Sequence, residues 1–262
     1  MIEIAAKRVS RGFRGSRKHI LDLLERKDFI EVFNDLLRNG GAAVSADDIY
    51  HPSGYTNPEE MELRDFGPKY LADQINWSTI RKWWPDYPAK SPQWDLLITC
   101  TVAAKRGLVL VEAKANEAEL DWKGKLLRKN ASETSIHNHQ QIDRCISEAC
   151  QSLNEKIPWV NIQRDSHYQL ANRVAFAWKL AQCGMPTVLL YLGFYGDSGI
   201  SDVGVPFRDN DHWQRVMGGY IQGILPQSFP ETRIEFESAG SMAMLVRSSP
   251  VIEVSPAEVD RS

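Results

Sequence analysis

The stretch that most constrains this chain is Gln93 to Ala115, QWDLLITCTVAAKRGLVLVEAKA. Two apolar runs, Leu96 to Thr99 and Leu108 to Val111, flank Ala103-Ala104-Lys105-Arg106-Gly107, the pattern of two core strands joined by a tight turn. Asp95 opens the first run, and the second ends in Glu112-Ala113-Lys114. Strand periodicity puts Glu112 and Lys114 on one face and turns Ala113 away, so three charged groups meet at one end of a predicted hairpin.

Elements of both kinds follow from periodicity. Ile20, Leu24, Phe29, Val32 and Leu36 predict a helix from about 17 to 37, ended by Asn39-Gly40-Gly41. Residues 40 to 66 are turn-rich and read as a surface excursion. A second helix is expected within 65 to 84, stopped by Pro85, with Trp83, Trp84 and Tyr87 as packing or, less in keeping with their apolar setting, base-stacking aromatics. Residues 116 to 135 read as a mobile loop carrying Lys123, Lys125, Arg128 and Lys129. Ile142, Ile146, Ala149 and Leu153 form one stripe of a helix over 136 to 153, and Leu170, Val174, Trp178 and Ala181 mark another over 168 to 182. Thr187 to Phe194 is a buried strand, a helix is expected over 212 to 225, and short strands around 233 to 236 and 242 to 246 extend or cover the sheet. The fold class is α/β, a mixed central sheet flanked by helices, in one domain over 1 to 262 with its core at about 65 to 195.

Composition narrows the function classes. An apolar fraction of 43% fills a substantial core. The opening MIEIAAKRVSRG lacks a long apolar segment and no stretch approaches 18 apolar residues, so neither export nor a membrane partner is expected and the setting is cytoplasmic. Cys100, Cys145, Cys150 and Cys183 form no CxxC and read as free thiols. A net charge of −3 argues against coating nucleic acid by bulk attraction, yet an enzyme needs only a local positive groove. Lys7, Arg8, Arg11, Arg14, Arg17 and Lys18 make a basic N-terminal cluster, either solvated or in contact with phosphate. There is no G-x-S-x-G, H-E-x-x-H or Walker A sequence.

Two carboxylates side by side near a core repel, and a hard divalent cation converts that repulsion into a binding site. Asp95 and Glu112 suit Mg2+, with Mn2+ able to substitute, and the Ala113 carbonyl is a third ligand. Lys114 then stands beside the ion, where it orients water and stabilises charge growing on a phosphoryl oxygen.

On Asp95 and the Glu112-Ala113-Lys114 tripeptide, carried on consecutive strands with helices and a strand after them, the sequence resembles the PD-(D/E)xK nuclease superfamily over about residues 65 to 195. One departure is Trp94 before the acid, with proline displaced to Pro92. The resemblance implies a restriction-endonuclease-like mixed sheet between helices, Mg2+ held by Asp95 and Glu112, water assisted by Lys114, and hydrolysis of a phosphodiester in nucleic acid, with DNA as the expected partner. It also implies a polar residue from the following helix, for which Gln141 is the candidate ahead of Gln140 and His139, and an early acid, Glu25 or Glu31. Asn172 and Arg173 lie off the apolar stripe of their helix and are expected to be exposed or to reach a phosphate. The competing readings are a non-catalytic nucleic-acid-binding module and a structural or interaction subunit that keeps the nuclease-like sheet.

Overall fold

The computed structural model describes residues 13–62, 69–72, 75–85 and 91–251. In chain order the elements are α1 (Gly15–Leu24), α2 (Phe29–Leu36), β1 (Ala42–Ala43), β2 (Tyr50–His51), β3 (Met61–Glu62), α3 (Trp77–Trp83), β4 (Gln93–Trp94), β5 (Leu96–Val102), β6 (Lys105–Lys114), α4 (Glu133–Asn154), α5 (Tyr168–Gln182), β7 (Thr187–Tyr195), α6 (Asn210–Ile221), β8 (Arg233–Glu235) and β9 (Ser241–Pro250). The main sheet runs β1-β5-β6-β7-β9-β8, with β2 also on β5. It is mixed: β5 and β6 are antiparallel, β6 and β7 parallel, β7 and β9 parallel. β3 and β4 form a separate antiparallel pair.

The expected hairpin is present, and its register runs from Leu96 opposite Val111 to Thr99 opposite Leu108. Its turn is tighter than the sequence indicates, because Ala103 and Ala104 both take positive φ, 47° and 64°, and Lys105 to Gly107 already belong to β6. A two-residue loop with two left-handed residues matches the twist of the flanking strands. The long crossover through α4 and α5 then returns the chain parallel to β6, as a parallel partner requires.

Alternation along β6 and β7 divides the apolar side chains between two cores. Leu108, Leu110, Leu189 and Tyr191 face the core shared with α3 to α6, whereas Val109, Val111, Ala113, Leu190 and Leu192 face α1 and α2. Helices therefore cover both faces, and the α/β class holds. Among the described residues no helix is long and apolar enough to cross a membrane.

The stripe of α4 is buried as the spacing predicts, at Ile142, Ile146, Ala149 and Leu153. Several expectations need correction. The single helix over 17 to 37 is two helices broken at residues 25–28, since Leu24 to Phe29 is a five-residue step that one straight helix cannot keep on one face. Residues 40 to 66 supply β1, β2 and β3, two of which pair with β5. Helix α5 is buried all round, from Leu170 through Ala181, because α4 covers one side while β7 and β9 cover the other. Asn172 and Arg173 are accordingly buried, not exposed. Trp84 is buried, and Trp83 packs edge-on to Phe176 at 5.3 Å, so both are core aromatics; Tyr87 lies outside the described residues. All four cysteines are free, and burial pushes the Cys100 and Cys145 thiols up to about 12.

Candidate functional site

The hairpin end assembles three of the expected residues. At the junction of β4 and β5, Asp95 accepts a hydrogen bond at 2.7 Å from the Ala113 N–H, which ties the acid to the flank of β6. Its other oxygen has no hydrogen-bond partner among the described residues. One step along β6 on either side of Ala113, Lys114 Nζ donates to Glu112 Oε1, so the two side chains share a face as strand periodicity requires. Glu112 is 2% exposed and Lys114 4% exposed.

A fourth charged residue completes the network from α5. Arg173, 7% exposed, donates from Nε to Glu112 Oε2 at 2.6 Å and from a terminal nitrogen to the Gln93 carbonyl at 2.6 Å. Its guanidinium lies 4.7 Å from the Trp94 ring centroid, a cation–π contact. From the sequence Arg173 is expected to be exposed or to reach a phosphate, because the apolar stripe of α5 accounts for one face only. Its available signal was a charged residue in the middle of an otherwise strongly apolar helix.

Glu60, which no sequence motif singles out, also belongs to this edge. The β3–β4 ladder pairs Met61 with Trp94 and Glu62 with Gln93, and continuing that register sets Glu60 across from Asp95. Burial raises the Glu60 carboxyl above its usual range, Arg17 opposes the rise, and the negative charge of Glu112 adds to it. The alternative early acids stand elsewhere: Glu25 accepts from the Tyr55 N–H at 3.1 Å, and Glu31 is exposed on α2.

The electrostatics separate the two central acids. Burial, reinforced by the charge of Glu112, pushes Asp95 up to about 7, against the pull of Lys114. Glu112 is held below the usual carboxylate range: burial alone would raise it, and the charges of Arg173 and Lys114 overcome that penalty. On the neighbouring strand Tyr191 is in register with Glu112, and its buried hydroxyl has no hydrogen-bond partner among the described residues. Burial and the nearby Tyr220 and Glu112 hold that phenol well above its ordinary range.

Gln141 is not brought to this face. Its amide donates to the Trp83 carbonyl at 3.0 Å, linking α4 to α3. His139 contacts the Lys125 carbonyl at 2.7 Å. The described part of the basic N-terminal cluster is paired within the protein: Arg14 with Asp202 at 2.6 Å, Lys18 with Asp22 at 2.5 Å, while Arg17 donates to the Pro58 carbonyl. Lys7, Arg8 and Arg11 lie outside the described residues. His212 is a buried structural residue; its N–H is capped by Asp209 and its Nε2 meets Glu117 at 3.0 Å.

Tested against a hard divalent cation, the donor set is of the right kind. Asp95 has an uncommitted oxygen, and burial first, then the charge of Glu112, makes its carboxyl hard to ionise, a penalty that a bound cation would offset. In an extended strand the N–H and C=O of one residue point to the same flank, so the Ala113 carbonyl shares the side of Asp95. The opposing observation is that both Glu112 oxygens already accept from cations, and among the described residues no three His, Cys, Asp or Glu side chains converge as a metal nest.

No family model, curated protein or solved structure matches this chain.

Proposed function

We propose that this protein hydrolyses phosphodiester bonds in nucleic acid, with DNA as the first substrate class, at the Asp95–Glu112–Lys114 face. The observation that carries the reading is the pairing of a half-buried acid raised to about 7 with a second acid held below the usual carboxylate range and a buried lysine at the end of one hairpin. Such opposed acids beside a lysine suit metal-assisted hydrolysis, and the resemblance to the PD-(D/E)xK superfamily points the same way.

Asp95, Glu112 and the Ala113 carbonyl would hold Mg2+ or Mn2+, which when bound supplies an activated water and neutralises charge on the phosphoryl oxygens. Lys114, buried against Glu112, carries a positive charge at the face where negative charge develops and orients a water through its ammonium. Arg173 fixes the rotamer of Glu112 and holds it ionised at neutral pH, so its part is positioning. Glu60, across from Asp95, adds negative potential to the same edge.

A second reading rests on the saturation of Glu112 by Lys114 and Arg173: a nuclease-like scaffold whose charges pair with one another and which binds nucleic acid or a partner without cleaving. Plasmid and oligonucleotide cleavage assays with Mg2+, Mn2+ or chelator, run beside Asp95→Asn, separate the two. Metal-dependent cleavage lost in Asp95→Asn is the expected result. Binding without cleavage under every metal condition would leave only the second reading.

A further inference from the structure

The segment after β6 holds an exposed aromatic surface that the hydrolytic site does not use. Trp122 is 52% exposed, and beyond it Leu126 and Leu127 are exposed as well. Residues 122 to 132, WKGKLLRKNAS, carry four cations, Lys123, Lys125, Arg128 and Lys129, and no acid. Among the described residues none of the four makes an ion pair, in contrast to Arg14, Arg17 and Lys18. Lys125 instead lies 4.7 Å from the Tyr168 ring centroid.

Although the sequence reads as a mobile loop, its first residues are pinned. Lys123 bridges Ser166, Lys125 N–H donates to the Arg164 carbonyl at 2.9 Å, and the Lys123 carbonyl accepts from Tyr168 N–H at 2.9 Å. Gly124 passes so close to the Asp165 backbone that any side chain there would collide with it. One side of the Trp122 indole is supported by rings, Tyr220 edge-on at 5.2 Å and His167 at 5.1 Å. Tyr220 in turn donates to the Asp121 carbonyl at 3.1 Å, and its phenol feels the charge of Glu112. The indole is therefore held on one side by two rings and half open to solvent, and Tyr220 behind it belongs to the same core as Tyr191, the register partner of Glu112.

We infer that Trp122 is a stacking platform for an unpaired base, with Lys123, Arg128 and Lys129 taking the flanking phosphates, so that a single-stranded stretch of nucleic acid is led toward the Glu112 face. A preformed aromatic beside uncommitted cations is the combination that binds single strands with little sequence preference, because every base has a π-face and every linkage a charge. The inference rests on the proposed activity for its direction toward Glu112, and its binding test is independent of cleavage.

The test is fluorescence anisotropy with a labelled oligothymidylate in chelator, where hydrolysis is absent. Trp122→Ala is expected to weaken binding about tenfold, Trp122→Phe to recover most of that loss, and Trp159→Ala, at an 85% exposed tryptophan outside this segment, to match wild type. On an abasic strand of equal length wild type and Trp122→Ala should bind alike. A Lys123→Glu, Arg128→Glu, Lys129→Glu triple variant should flatten the salt dependence, by about 0.7 in log–log slope for each phosphate that those side chains neutralise in wild type. An oligouridylate arm assigns the preferred strand to DNA or RNA. Equal affinity of wild type and Trp122→Ala for oligothymidylate, or no binding by wild type at all, would overturn the inference. Trp122-dependent binding without cleavage in Mg2+ would uphold it while removing the hydrolytic reading; cleavage with Trp122-independent binding would do the reverse.

Discussion

Arg173 Nε lies 2.6 Å from Glu112 Oε2, joining the middle of α5 to the end of β6 across 61 positions of chain. With Lys114 on the other oxygen, Glu112 is a buried anion between two buried cations. Repulsion between Asp95 and Glu112 alone leads one to expect that Glu112→Ala leaves the fold intact or even firmer. The network reverses that expectation. Removing the shared anion strands two buried cations, at a cost of about 3–5 kcal/mol, whereas Glu112→Gln keeps an acceptor and should cost less. Urea midpoints measure both, and an unchanged midpoint for Glu112→Ala would refute the network's role.

Asp95 gives the protein a pH signature. Its folded pKa of about 7 stands above the ordinary 3.8, so between those values the folded state holds a proton that the unfolded chain has released. The stability it contributes is fully present below the lower value and is lost as pH rises through the higher. Asp95→Asn removes the titration while its side-chain oxygen still accepts from Ala113. In metal-free buffer the variant should therefore melt above wild type by several degrees at pH 8 and show a smaller advantage at pH 5, at about 2–4 °C for each kcal/mol. Added Mn2+ should raise the wild-type melting temperature and leave the variant's unmoved. A wild type indifferent to both pH and Mn2+ would take Asp95 out of the site.

Lys114 distinguishes chemistry from metal holding. Lys114→Met should retain Mn2+ affinity and lower the single-turnover cleavage rate by roughly 10²-fold or more, about 3 kcal/mol of transition-state stabilisation. Lys114→Arg should rescue poorly, since a planar guanidinium sets its charge elsewhere and does not readily exchange a proton. Near-equal rates at matched bound fraction would defeat the catalytic assignment.

Gly193 tests the packing behind the site. It pairs in register with Lys114, and a Cβ there would run into the Trp213 indole. Gly193→Ala should therefore destabilise by about 1–3 kcal/mol through overpacking and lower activity by displacing β7 from Lys114. Calorimetric melting and cleavage read the two effects; a variant as stable as wild type would show that the indole yields without strain.

The sequence by itself determined the elements whose information is local. Alternation put Glu112 and Lys114 on one face, apolar runs marked β5, β6 and β7, and the stripe of α4 appears at its expected residues. What only the tertiary structure decided depends on distance along the chain. The stripe of α5 shows which side meets one neighbour but not that a second layer covers the other, so Arg173 looked exposed until the sheet closed over it. The register that sets Glu60 across from Asp95 belongs to a two-residue ladder, too short to leave a periodic signal. The split of α1 from α2 and the pairing of β1 and β2 with β5 follow from fitting chain to sheet, as does the pinning of Trp122 against 163–168. Periodicity reports the environment of a residue averaged over its own segment; the partner that neutralises a buried charge is supplied by another segment, and only folding brings it there.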